Sequence, residues 1–174
     1  MIHRFATVTE EDIARITPSD IVICTDEVAP QNTDTLLRAD RDEFSMLLHK
    51  CNELDVPVLA QGVYARLLAY EYGGVVQPQQ HKAEQGSVLL FKLAPARDDA
   101  WLSGIEHEQS AISFRSDDIM QLPLLALPLQ NSELTQFHTF KIVGKMQYGV
   151  QWYNQDLVTL FIKNTTHHYE KITV

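Results

Sequence analysis

The chain has 174 residues, 45% of them hydrophobic and 21% charged, with a formal net charge of -9. This length fits one domain that buries roughly 70% of the surface its unfolded chain exposes, and the composition excludes a disordered or fibrous protein. The acidic balance, with no basic stripe, excludes non-specific binding to nucleic-acid phosphates or anionic lipid head groups, and no apolar run is long enough for a membrane span.

The opening MIHRFATVTEED has neither a long apolar run nor a small-residue cleavage site, so no signal peptide is read and a cytoplasmic location is expected. SDIVIC, 19–24, is a short apolar run bounded by turn-formers, as in a strand covered on both faces. After the polar stretch APQNTDT, residues Phe44, Leu47, Leu48, Cys51 and Leu54 recur at helical spacing and predict an amphipathic helix over Arg41–Leu54. LDVPVLA predicts the next strand, VYARLLAYEY the next helix, and Gly73 with Gly74 its stop. Gly62 stands at the sharp strand-to-helix turn between them, a place where many α/β enzymes carry a nucleophile.

The second half changes character. GSVLLFKL, SAISF, LPLLALPL, FHTFKIV and YGVQW predict strands spaced as antiparallel ribbons, and DLVTLFIKNTTHHYEKI predicts a C-terminal helix with Leu157, Leu160 and Phe161 on one side. There is no internal repeat or linker, so residues 1–174 are expected to form one α/β domain with a largely parallel sheet.

Candidate reactive residues are few. Cys24 and Cys51 lack a C-x-x-C spacing and are expected as buried, reduced thiols. Cys24 ends its predicted strand, where sheets of this type place a ligand crevice, so a displaced nucleophile is the alternative there. His167 and His168 have no partner at a metal-ligand spacing and are read as surface residues. Glu106, His107 and Glu108 fall in a predicted loop, either merely acidic or able to contribute to a divalent-metal site. No metal and no cofactor are expected. The NTT at 164–166 matches a glycosylation pattern without meaning in a cytoplasmic chain.

Four strings, taken in order, resemble the class I glutamine amidotransferase family from about Asp20 to Asn164. SDIVIC resembles the family's p-D-G-i-i-L-S strand, and VPVLAQGVYARLLAYEYGG resembles P-v-L-G-I-C-L-G-H-Q-l-l-a-x-x-x-G-G in register without a gap. FRSDDIMQLP resembles S-H-x-D-x-V-x-x-L-P through Asp117, Leu122 and Pro123, and YGVQWYNQ resembles y-G-V-Q-F-H-P-E through Gly149, Val150 and Gln151. The resemblance implies a three-layer α/β sandwich with a mostly parallel, flavodoxin-like sheet and antiparallel additions. It also implies that the family's first strand–helix unit is missing, its place taken by a strand near Phe5 or left as an edge for a partner to cover.

That family's chemistry uses a cysteine at the elbow, a histidine base and an orienting glutamate. The resemblance puts Gly62, Tyr153 and Gln155 at those positions, and none of the three can replace its counterpart. The flanking elbow glycines become Ala60 and Tyr64, the following glutamine becomes Arg66, and the S-G-G-P-G oxyanion loop becomes CTDEVAP, with Asp26 and Glu27 set to repel an oxyanion. The expectation is a catalytically inactive glutamine amidotransferase-like domain acting as an interaction or regulatory module, with an unknown protein partner or a second copy of itself. The alternative is a small-ligand binder, or an enzyme of different mechanism, in which Arg66, Arg115, Tyr153 and Tyr64 hold a small anion; otherwise Tyr64, Arg66 and Tyr153 plug the crevice, with Arg66 paired to a local acid such as Asp26 or Glu27.

Overall fold

The computed structural model describes residues 1–5, 8–25, 41–78 and 84–172. The parallel part begins with β1 (Ile2–Phe5), α1 (Glu10–Ala14), β2 (Ile21–Thr25), α2 (Arg41–Glu53), β3 (Val58–Gln61) and α3 (Val63–Glu71). Local chemistry sets several of these ends. Thr9 and Asp12 form a reciprocal capping box at the start of α1, satisfying two backbone N–H groups that the first turn leaves unbonded. At the far end of α3, Gly73 and Gly74 donate to the carbonyls of Tyr70 and Ala69 at 2.9 and 2.7 Å and stop the helix where the paired glycines predict.

The remaining elements are β4 (Val75–Pro78), β5 (Gln85–Lys92), a 3₁₀ turn (Ala94–Ala96), β6 (Glu108–Phe114), β7 (Asp117–Gln121), β8 (Ala126–Asn131), β9 (Thr139–Ile142), β10 (Gln147–Val150) and α4 (Gln155–Ile172). Eight strands form one sheet in the order β1-β2-β3-β10-β9-β8-β5-β6, the first four parallel and the rest joined antiparallel. β4 and β7 make a separate antiparallel ribbon with a register shift at Val75/Val76. The N-terminal strand near Phe5 does enter the sheet, lying parallel to β2 at one edge.

Alternation along the central strands builds the layers. In β2, Val22 and Cys24 enter a core shared with α1, α2 and α3, while Ile21 and Ile23 enter a second core with Trp101 and with Leu157 and Phe161 of α4. β3 divides in the same way, Val58 and Ala60 to the first core and Leu59 to the second. A strand with helices against both faces must be apolar at every position, which is why SDIVIC reads as an unbroken run. Among the described residues no helix is long and apolar enough to cross a membrane.

The antiparallel half curls. Tyr153, just past β10, donates its N–H to the Ile112 carbonyl at 2.8 Å and accepts from Ile112 N–H at 3.3 Å, so β6, last in the sheet, returns to the chain that leaves β10. The curl is tight at Gly149, whose cross-strand partner is Phe140. A Cβ on Gly149 would lie 2.2 Å from two atoms of the Phe140 ring, so only glycine lets that buried ring sit over β10.

Candidate functional site

The carboxyl ends of β2, β3 and β10 meet at the elbow. Gly62 has φ 66° and ψ -121°, a conformation that L side chains rarely adopt, and it turns the chain directly from β3 into α3. Its N–H donates to the Val150 carbonyl at 2.8 Å and its carbonyl accepts from Ala65 N–H at 3.2 Å. Beside it, buried Gln61 accepts from the Thr25 hydroxyl at 2.9 Å and donates through Nε2 to the Trp152 carbonyl at 3.0 Å. One side chain therefore ties β2, β3 and the segment after β10 together beside the elbow.

Tyr64 lies in the first core, 1% exposed, with its ring centroid 5.2 Å from that of Phe44 on α2. It fills the space between two helices, which is a packing role. Arg66 is 4% exposed, on a helix whose residues from Val63 to Ala69 are all buried. Tyr153 is half-buried and fixed through its backbone to β6. The Gln155 side chain, Asp26, Glu27 and the loop after Thr25 lie outside the described residues, as do the side chains of His167 and His168.

Cys24 and Cys51 are both fully buried in the first core. Burial pushes the Cys24 thiol well above its ordinary range, with the neighbouring Cys51 adding to the effect, and burial pushes Cys51 up to about 12. Neither is a thiolate near neutral pH, so the geometry favours the small-hydrophobe reading of Cys24 over a displaced nucleophile.

Arg115 sits in the interior of the curl, linked through Ser113 and Asp118 to Gln151, just past β10. Its fully buried guanidinium donates to Glu84 at 2.8 Å and to Asp118 at 2.6 Å, and also to the hydroxyls of Ser113 and Thr135. Two carboxylates and two hydroxyls occupy its donors. Around it, the Ser132 hydroxyl donates to Glu84 at 3.1 Å, His138 Nε2 lies 3.0 Å from Glu84, and Gln151 Nε2 donates to Asp118 at 3.2 Å. Burial alone would raise the Glu84 carboxyl, but its hydrogen bond to His138 and the charges of His138 and Arg115 bring it down to about 2. Burial pushes His138 below its ordinary value despite Glu84. Arg115 supplies the positive charge that persists beside Glu84 when His138 loses its proton.

Sequence reasoning did not find Glu84, Asp118 or His138. Their signal is weak: inward polar residues in the second half are interpretable only once β6 is known to close on the segment after β10. Glu106 and Glu108 flank a surface groove beside α4, and among the described residues no group of three His, Cys, Asp or Glu side chains is placed to hold a metal.

No protein-family model and no curated protein match the chain. Solved structures do match its fold. One from Thermoplasma acidophilum, solved as a candidate GMP synthase component, superposes with a TM-score of 0.72 at 19% identity, over 88% of this chain and 76% of its own. A glutamine amidotransferase from Thermotoga maritima gives a TM-score of 0.64 at 14% identity, covering 88% of this chain and 65% of its own. A glutamine amido transferase from Methylobacillus flagellatus gives 0.57 at 18% identity, over 82% of this chain and 56% of its own. This chain spans less than two thirds of the latter two proteins. It has the class I glutamine amidotransferase-like fold.

Proposed function

We propose that this chain is a glutamine amidotransferase-like domain that does not hydrolyse glutamine and serves in the cytoplasm as an interaction or regulatory module. The observation that carries the reading is Gly62: the elbow keeps the positive φ of a nucleophile turn, at 66°, on a residue with no side chain to attack anything. Tyr153 and Gln155 at the base and orienting positions support it, and so do the buried, protonated thiols, which offer no substitute nucleophile. Loss of a nucleophile alone lowers turnover by roughly 10⁴- to 10⁶-fold.

The alternative, an anion held by Arg66, Arg115, Tyr153 and Tyr64, has less support, because Arg115 is committed to two carboxylates and Tyr64 to the core. The test is ammonia release from glutamine by the pure protein and by the triple variant Gly62→Cys, Tyr153→His, Gln155→Glu. No release by the unaltered chain is expected. Hydrolysis by the unaltered chain that an Arg66→Ala change abolishes would sink the reading.

A further inference from the structure

Beyond the crevice, we infer that the groove between α4 and the 105–109 segment binds a small organic cation with an apolar body. The groove has a volume of about 400 Å³, within the range of about 300–1,000 Å³ usual for small-molecule sites. Neither Gly62 nor Tyr153 lines it, though Trp152 and Asn154 on either side of Tyr153 do.

Its construction follows from the second core. Leu157 and Trp152 are buried members of that core, and Ile105 and Leu160 pack against it half-exposed, which gives the groove an apolar floor. Along α4, Asp156, Leu160 and Lys163 recur at i, i+4 and i+7 and so share one face of the helix. That face runs for about 10 Å at 1.5 Å per residue, the length of a one-ring metabolite with a short side chain.

The rim decides the sign of the ligand. Glu106, Glu108 and Asp156 bring three carboxylates to the groove, against one ammonium from Lys163. None of the four forms an ion pair with another described residue, in contrast to Glu84 and Asp118 around Arg115. Free carboxylates beside an apolar floor attract a cation whose body is removed from water, since the partial desolvation strengthens the pairing. An anion of the same shape meets an excess of like charge.

Titration of the full chain by calorimetry and by amide chemical shifts, with 2-phenylethylammonium and with phenylacetate as an equal-sized anion, tests this assignment. Saturable binding of the ammonium, about tenfold tighter than phenylacetate, is expected, with shifts at Ile105–Gln109 and Asp156–Lys163. The Glu106→Gln, Glu108→Gln, Asp156→Asn variant should lose about tenfold in affinity for the ammonium, and added salt should weaken binding to the unaltered chain. Leu160→Lys, at a half-exposed position, blocks the floor without opening the core and should abolish binding. Equal affinity for the two probes, an unchanged affinity in the carboxylate variant, or no saturation by the ammonium overturns the assignment. So does a lysine-rich peptide that binds more tightly than its added charges explain, which would make the groove a seat for a protein segment. The readout is binding alone, so its outcome is independent of the glutaminase assay.

Discussion

At the elbow, Gly62 holds a positive φ on a backbone tied to β10, with no side chain of its own. Around the curled half of the same sheet and the β4–β7 ribbon, Arg115, Glu84, Asp118 and His138 carry abundant acid–base chemistry and are buried. The first region keeps the geometry of a reactive site without its reactive groups; the second keeps reactive groups in a geometry that satisfies them against one another. Residue type alone therefore misleads in both places.

Arg115 is the cation on which the buried polar interior depends. Replacing it with Met removes the positive charge that Glu84 and Asp118 share and breaks both buried ion pairs, which should cost about 3–5 kcal/mol in urea denaturation. A loss below about 1 kcal/mol would mean that the interior is open to water, like a crevice.

The same region should govern the acid limb of stability. Glu84 is held at about 2, below its ordinary 4.5, so its contribution is complete above about pH 4.5 and is lost as pH falls toward 2. The loss should be on the order of 2 kcal/mol, read from unfolding midpoints across that window. His138, pushed below 6.5, acts in the same direction from a higher pH, because the unfolded chain takes up its proton first. Asp20 contributes to the limb as well: burial would raise its carboxyl, but the N-terminal ammonium, Thr17 and His3 hold it well below the usual range. Glu84→Gln should flatten only the part of the slope that belongs to the curl.

At the elbow the effect is smaller and has a different cause. Gly62→Ala puts a Cβ on a residue at φ 66° and should cost about 1–3 kcal/mol of thermal stability through backbone strain alone. Unchanged stability in that variant would show that the turn relaxes and that its retention carries no structural meaning. The smallest expected effect is none: iodoacetamide should leave Cys24 and Cys51 unmodified in the folded protein and label both on unfolding. Rapid labelling of native Cys24 would reopen the displaced-nucleophile reading.

Much of the fold is legible in the sequence because its signals are local. β2 shows as an unbroken apolar run, α2 as Phe44, Leu47, Leu48 and Cys51 on one face, and the elbow as a glycine between a buried strand and a buried helix. The β4–β7 ribbon is harder to see, since Val75–Pro78 is exposed or half-exposed throughout and gives no alternation. The polar interior is hardest of all. Ser113, Gln130, Thr139 and Gln151 read as solvent-facing positions until distant strands enclose them, and Thr139 then joins the Trp152 indole at 2.8 Å to Gln130 at 2.7 Å. Closure of that kind depends on pairing between Ile112 and Tyr153, positions too far apart for any window of sequence to contain both.

Trp101 and Trp152 are the chain's two tryptophans, and both are buried in the α4 layer. The Trp101 ring stands edge-on to Tyr148 at 5.0 Å and to Phe161 at 5.4 Å, so removing α4 strips that indole of its apolar cover. The layer that carries Gly62 and α2 contains tyrosines but no indole among its core residues. Intrinsic emission from this protein thus watches one side of the sheet, and a red shift on heating dates the departure of α4, with Trp152 reporting as well on the segment that Gln61 ties to the elbow. Paired with a backbone signal such as circular dichroism, it shows whether the two layers melt together or in turn.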